Sequence, residues 1–257
     1  MTDDAPAGAD PASRADARPR VLLPVRVLEG EGVSPGMVAL LADAEVVLAG
    51  YHVVPEQTAP AQARLSFEER AAGKLDEIEA SLIEAGASVE RTLVFTPDAE
   101  QTIDRLATEE ACSAVAYPNP VNACERVLVV LHGDVDAERI AALTAGLVSG
   151  RGIDVGLLEV TEPDGAVGSD EGTGLTERAP SALEAGGVDR SVIHEMAMAT
   201  DAPVRDITLV ADDFDATVLG ERAPTLGELL FGEFDERMIA ESLGPVVVVR
   251  RVEESEP

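Results

Sequence analysis

Tryptophan is missing from this sequence, and Phe and Tyr together reach only 3%. A core without large rings must be assembled from Val, Leu, Ile and Ala. Apolar residues make up 46% of the 257 positions, enough for one large domain or two small ones. Positive charge is the next shortage: 19 Lys and Arg stand against 49 Asp and Glu, a formal charge of −30. Phosphate backbones need a basic footprint, so nucleic acid is excluded as a partner. The carboxylates read as a solvated surface, and the scarcity of Lys suggests a salt-adapted source. At about 1 M salt the Debye length is about 3 Å, which screens most of the self-repulsion.

No run reaches 18 apolar residues, so no membrane insertion is expected. The opening "MTDDAPAGADPASRADARPR" has neither the basic start nor the apolar centre of a signal peptide. Cys112 and Cys124 have no histidine cluster beside them and read as free thiols in a reducing cytoplasm. His52, His132 and His194 are scattered without the spaced partners a metal site requires. No Ser-His-Asp order, nucleophile elbow or Lys-bearing phosphate loop occurs, so no catalytic residue is assigned and no enzymatic activity is expected. Met196 and Met198 read as core filler.

What is present is one unit written twice. "RVLLPV" from Arg20 is echoed by "RVLVVL" from Arg126, and "EAGASVERTLV" from Glu84 by "EAGGVDRSVIH" from Glu184. "DAEQTI" from Asp98 meets "DAPVRDI" from Asp201, in the same order. The expected organisation is a disordered tail over 1–19, a first unit over 20–119, a second over 124–252 and an acidic tail over 253–257. "YPNPVNAC", 117–124, reads as the linker.

Each unit alternates strand and helix. In the first, apolar runs predict strands over 21–27, 45–54, 89–95 and 114–117. Helices are expected over 35–42 with Ser34 as cap, 66–85, and 98–109. The second predicts strands over 127–131, 155–160, 192–198, 216–219 and 245–250, with helices over 136–148, 177–185, 203–213 and 234–243. The Gly-, Asp- and Glu-rich stretch 161–180 reads as a flexible loop. Strands separated by helices imply right-handed crossovers and a parallel sheet covered on both faces. Nothing in the first unit corresponds to 220–250, so it is truncated and the second is complete.

The candidate site is "VLGERAPTLGELLFGEFDERMIAESLGPVVVVRR", from Val218 to Arg251. A strand running into a Gly-containing loop and then a helix is the layout that cradles phosphate. Here Gly232, Glu233 and Asp235 stand at the helix mouth, and carboxylates repel phosphate.

The second unit resembles the universal stress protein family through "RVLVVLHGDVDAERIAALTAGL", "ATDAPVRDITLVADDFDATVLGERA" and "LLFGEFDERMIAESLGPVVVVR". The first resembles it through "VLLPV" and "EAGASVERTLVFTPDAEQTI", and the likeness spans about 20–252 in a haloarchaeal-like acidic form. The resemblance implies two flavodoxin- or Rossmann-like α/β units in tandem. It also implies an ATP loop of Gly, two residues, Gly, nine residues, Gly, then Ser or Thr. This chain has Gly220, then Ala223 in place of the second Gly, eight residues, Gly232 and Glu233. The family's Asp at the end of its first strand, near ribose and base, corresponds to His132 in the second unit and Arg26 in the first.

The resulting expectation is a cytoplasmic stress-response or regulatory protein, acting through protein contacts and carrying a degenerate nucleotide site with no bound cofactor. The alternative is an ATP- or AMP-binding sensor using Gly220, Arg222 and Gly232. Expected partners are a second copy, or the chain's own first repeat as a pseudo-dimer, through 245–250, and a regulated protein such as a transporter.

Overall fold

Parallel strands need crossover helices, and the chain supplies them in two runs. In the computed structural model, residues 18–55, 60–161, 163, 175–221 and 233–251 are described, with 60–63, 175–177 and 233 as backbone alone. The first run is β1 (Arg20–Arg26), α1 (Pro35–Leu40), β2 (Glu45–Val53), α2 (Pro60–Ala85), β3 (Ser88–Thr96), α3 (Ala99–Glu109) and β4 (Ala114–Tyr117). The second is β5 (Arg126–His132), α4 (Ala137–Val148), β6 (Asp154–Thr161), α5 (Leu175–Ala185), β7 (Ile193–Ala199), α6 (Pro203–Ala211), β8 (Ala216–Gly220), α7 (Glu233–Glu241) and β9 (Val246–Val249).

All nine strands form one sheet in the order β3-β2-β1-β4-β9-β8-β5-β6-β7. Each run is internally parallel, as the unbroken apolar strands require. One ladder departs from the expected single parallel sheet: β4 and β9 pair antiparallel, Ala114 opposite Val249 and Tyr117 opposite Val246. Val246–Val249 is thus flanked on both sides within the chain, by β8 and β4. Of the two alternatives expected for 245–250, this ladder has the form of the pairing with the chain's own first repeat.

Helices cover both faces. On one, α1, α2, α4 and α5 bury Leu40, Leu75, Ile140 and Leu183 against the sheet. On the other, α3, α6 and α7 bury Leu106, Ile207 and Met238. The repeat extends to single hydrogen bonds. Thr96 Oγ1 accepts from the Asp98 amide at 3.1 Å and from Thr102 Oγ1 at 2.8 Å. Thr200 Oγ1 likewise accepts from the Ala202 amide at 2.9 Å and donates to the Asp206 carboxylate.

Several local expectations need correction. Helix α2 begins at Pro60, six residues before the predicted 66, because proline is well tolerated at a helix's first turn. Helix α5 begins at Leu175 and carries Pro180 inside it, so 175–180 is not loop. Ser34 occupies the cap position of α1 without capping it; its hydroxyl donates to the Asn119 carbonyl at 3.1 Å. The left-handed glycine after α2, Gly86 (φ 114°), matches Gly187 (φ 90°) and not Gly186, so the "EAG" letters align one residue out of register.

Candidate functional site

In a doubly wound sheet, ligands bind beyond the strand ends where the chain reverses its direction of travel across the sheet. Here those points lie between β1 and β4 and between β5 and β8. Because β4 and β9 run antiparallel, the two crevices open at opposite ends of the sheet.

The first crevice is filled by the chain itself. Past β4 the linker turns across the start of α1, where the Gly36 amide donates to the Val121 carbonyl at 3.1 Å. With the Ser34 hydroxyl on the Asn119 carbonyl, two linker carbonyls take the donors that an anion would need. A Cβ on Gly36 would lie 2.7 Å from Val121 Cγ1 and 2.9 Å from the Ala123 carbonyl carbon, so only glycine permits this approach. The linker is also tied to the second unit, since Asn119 Nδ2 donates to the carbonyls of Ser242 and Gly244 at 3.1 and 3.0 Å. Arg26, at the end of β1, turns aside: its Nε donates to the Tyr51 hydroxyl at 2.8 Å, and Glu29 lies 3.6 Å from its Nη1.

The second crevice is bounded by His132, Gly133 and Asp134 after β5, by Gly220 and Glu221 at the end of β8, and by the first turn of α7. The His132 ring stands 4.9 Å from the ring of buried Phe234, with Nδ1 3.3 Å from the Val160 carbonyl. Gly220 is buried, and a Cβ there would meet Ile140 Cδ1 at 2.6 Å. Its missing side chain therefore serves the packing of α4 on β8. Glu221 folds back, accepting from the Arg251 amide at 2.9 Å and lying 3.9 Å from Arg250 Nε. Burial raises the Glu221 carboxyl above its ordinary range, with these partners opposing the shift. Asp235, one helical position after Phe234, is fully buried. Arg222, Ala223 and Gly232, and the Glu233 side chain, lie outside the described residues. Of the predicted binding set, the structure therefore places only Gly220.

Sequence reasoning missed the junction beside this crevice. Arg250 Nη2 donates to Asp104 of α3 at 2.8 Å and Nη1 to Thr108 at 3.0 Å, so the end of the second unit grips the first. Arg139 Nε donates to the Arg250 carbonyl at 2.8 Å, and Arg151 reaches the Leu40 carbonyl of α1 at 3.1 Å. The only signal was an arginine directly after a buried valine run, where a charge needs a partner. Among the described residues, no group of His, Cys, Asp and Glu is placed to hold a metal ion, and no helix is long and apolar enough to cross a membrane.

No protein-family model matches the chain, and no curated protein is similar to it. Solved structures are. A universal stress protein from Archaeoglobus fulgidus DSM 4304 superposes with a TM-score of 0.59 at 17% identity, over 92% of this chain and 97% of its own. A shorter universal stress protein from Archaeoglobus fulgidus covers 48% of this chain and 92% of its own, with 24% identity and a TM-score of 0.39. By the first of these likenesses, the universal stress protein fold is the one this chain adopts over nearly its whole length.

Proposed function

We propose that this is a non-enzymatic regulatory protein of the universal stress type, acting in the cytoplasm through protein contacts, with crevices that do not retain a nucleotide. The observation that carries the reading is the state of the two switch points. Linker carbonyls occupy the donors of the first. At the second, Glu221 and Asp134 stand at the strand ends, each 3.9 Å from an arginine, and buried Asp235 follows Phe234, whose ring lies 4.9 Å from that of His132. A phosphate about 4 Å from one carboxylate, at an effective dielectric near 20, is repelled by about 4 kcal/mol. That is about a thousandfold in affinity. Returning it would take more than one charged hydrogen bond, worth about 1.5–3 kcal/mol.

The test is calorimetric titration of the full chain with ATP and with AMP in molar KCl, where surface repulsion is screened. The expected result is binding weaker than about 100 μM, or none. Micromolar binding would overturn the reading in favour of a nucleotide sensor built on Gly220, Arg222 and Gly232.

A further inference from the structure

A shallow groove of about 750 Å³ lies at the far edge of the second unit, between α6 and the edge strand β7. Met196 and Met198 of β7 line it together with Leu209, Val210 and Phe214. Leu209 is 59% exposed, and both methionines are half-buried. Its floor is shaped by Gly156 of β6: a Cβ there would lie 2.5 Å from Phe214 Cζ and 3.0 Å from Met196 Cε.

The first unit provides an internal control. Strand register equates Glu90, Thr92 and Val94 of β3 with His194, Met196 and Met198 of β7, and Val47 with Gly156. Matching buried Ile103 with Ile207 equates Arg105 with Leu209. On the first unit this face is closed by polar pairs, Arg20 on Glu90 at 2.7 Å and Arg105 on Glu109 at 2.6 Å. A charged edge is the ordinary protection of an outer strand. On the second unit Arg126 and His194 take the places of Arg20 and Glu90, while Met196 replaces Thr92 and Leu209 replaces Arg105; methionine is a side chain that adapts to varied partners. The cover on this face is also incomplete. Helices α3, α7 and α6 cover the inner strands on this side, and at the edge Val210 and Phe214 reach Met196 and Met198 of β7 while Leu209 is left exposed.

We infer that this groove is a docking site for an amphipathic helix of a partner protein, apolar on one side and flanked by Lys or Arg. Layer completion sets the shape, since a helix beside α6 would bury the exposed apolar side chains against the sheet. Charge sets the chemistry. Among the described residues Asp206 and Asp213 line the groove with Arg126 as the one basic group, and the chain carries −30. A second copy brings the same acidic surface and is the poorer match. The inference rests on the protein-contact reading above and gives it a location.

The test uses the full chain and a fluorescein-labelled amphipathic peptide with Leu at helical i, i+3, i+4 and i+7 spacing and Lys flanks. A twin peptide carries Glu for Lys. The expected result is saturable anisotropy with the Lys peptide and shifts at the methyl signals of Met196 and Met198. Leu209→Ser should weaken binding about tenfold. The change is at an exposed position, so folding is retained. Phe67→Ser, in a separate exposed apolar patch on α2, should leave binding unchanged. No binding, equal binding of the Glu twin, or indifference to Leu209→Ser would each overturn the inference. So would concentration-dependent self-association that Leu209→Ser abolishes, which would assign the groove to a second copy. Absence of peptide binding alongside a blank ATP titration removes the groove alone, whereas micromolar ATP binding removes the parent reading.

Discussion

Gly36 illustrates how much a single residue carries that its neighbours in sequence do not explain. Its Cβ position is taken by Val121 and by the backbone of Ala123, far along the chain. Gly36→Ala must push that linker outward, and we expect a loss of about 1–3 kcal/mol in urea denaturation. An unchanged midpoint would mean the linker is free to retreat and does not plug the first crevice. The two thiols give a second residue-scale test. Burial pushes both Cys112 and Cys124 up to about 11. Unfolded thiols ionise near about 8.5. Below that value they contribute nothing pH-dependent. Between about 8.5 and 11 the unfolded chain loses protons the fold retains, so stability falls as pH rises through that window. The slope of urea midpoint against pH should be shallower in the Cys112→Ala, Cys124→Ala variant, and equal slopes would refute the assignment. Free thiols were readable from composition, while their inertness depends on a packing that spacing does not reveal.

At the scale of elements, the strand and helix order was legible because the apolar runs are long and unambiguous. The valine run of β9 announces burial on both faces and needs two neighbours, yet nothing in its letters says which neighbour or in which direction. Direction is decided by the first unit's missing fifth strand, which leaves β4 with an open edge, and by the short linker. Helix starts were less legible: α2 begins at Pro60, ahead of the expected 66, and α5 at Leu175, within the stretch read as loop. The junction should be measurable. Val248→Ala removes two methyl groups from a fully buried site and should cost about 2–3 kcal/mol. Arg250 and Asp104 are only 16% and 20% exposed, and a double-mutant cycle with Arg250→Met and Asp104→Asn should show coupling of about 1–2 kcal/mol. Additive effects would mean that the pair adds nothing to the strand ladder beside it.

Across the whole molecule, a charge of −30 is spread over a surface with few cations to offset it. Raising KCl from about 0.1 M to 1 M shortens the Debye length from about 10 Å to 3 Å. The melting temperature should therefore rise with KCl, and a salt-independent melt would contradict the screened-surface account. One continuous sheet also predicts a single cooperative transition for both units, checked by calorimetry against the circular dichroism melt. Two separated transitions would show that the junction holds less than either core. The candidate site was only half legible at this scale: its place followed from the repeat, but its occupants, a linker in one crevice and a phenylalanine in the other, are set by contacts across the molecule. The antiparallel ladder has one more consequence, a mechanical one. The start of β1 and the end of β9 come out at the same end of the sheet, with Ser113 bonded to both the Arg20 and Arg250 main chains. A force pulling these two points apart acts across the strands, opening the ladders one rung at a time from that end. Such a chain peels under small loads, however high its thermal stability, and it would yield early in a force spectrometer.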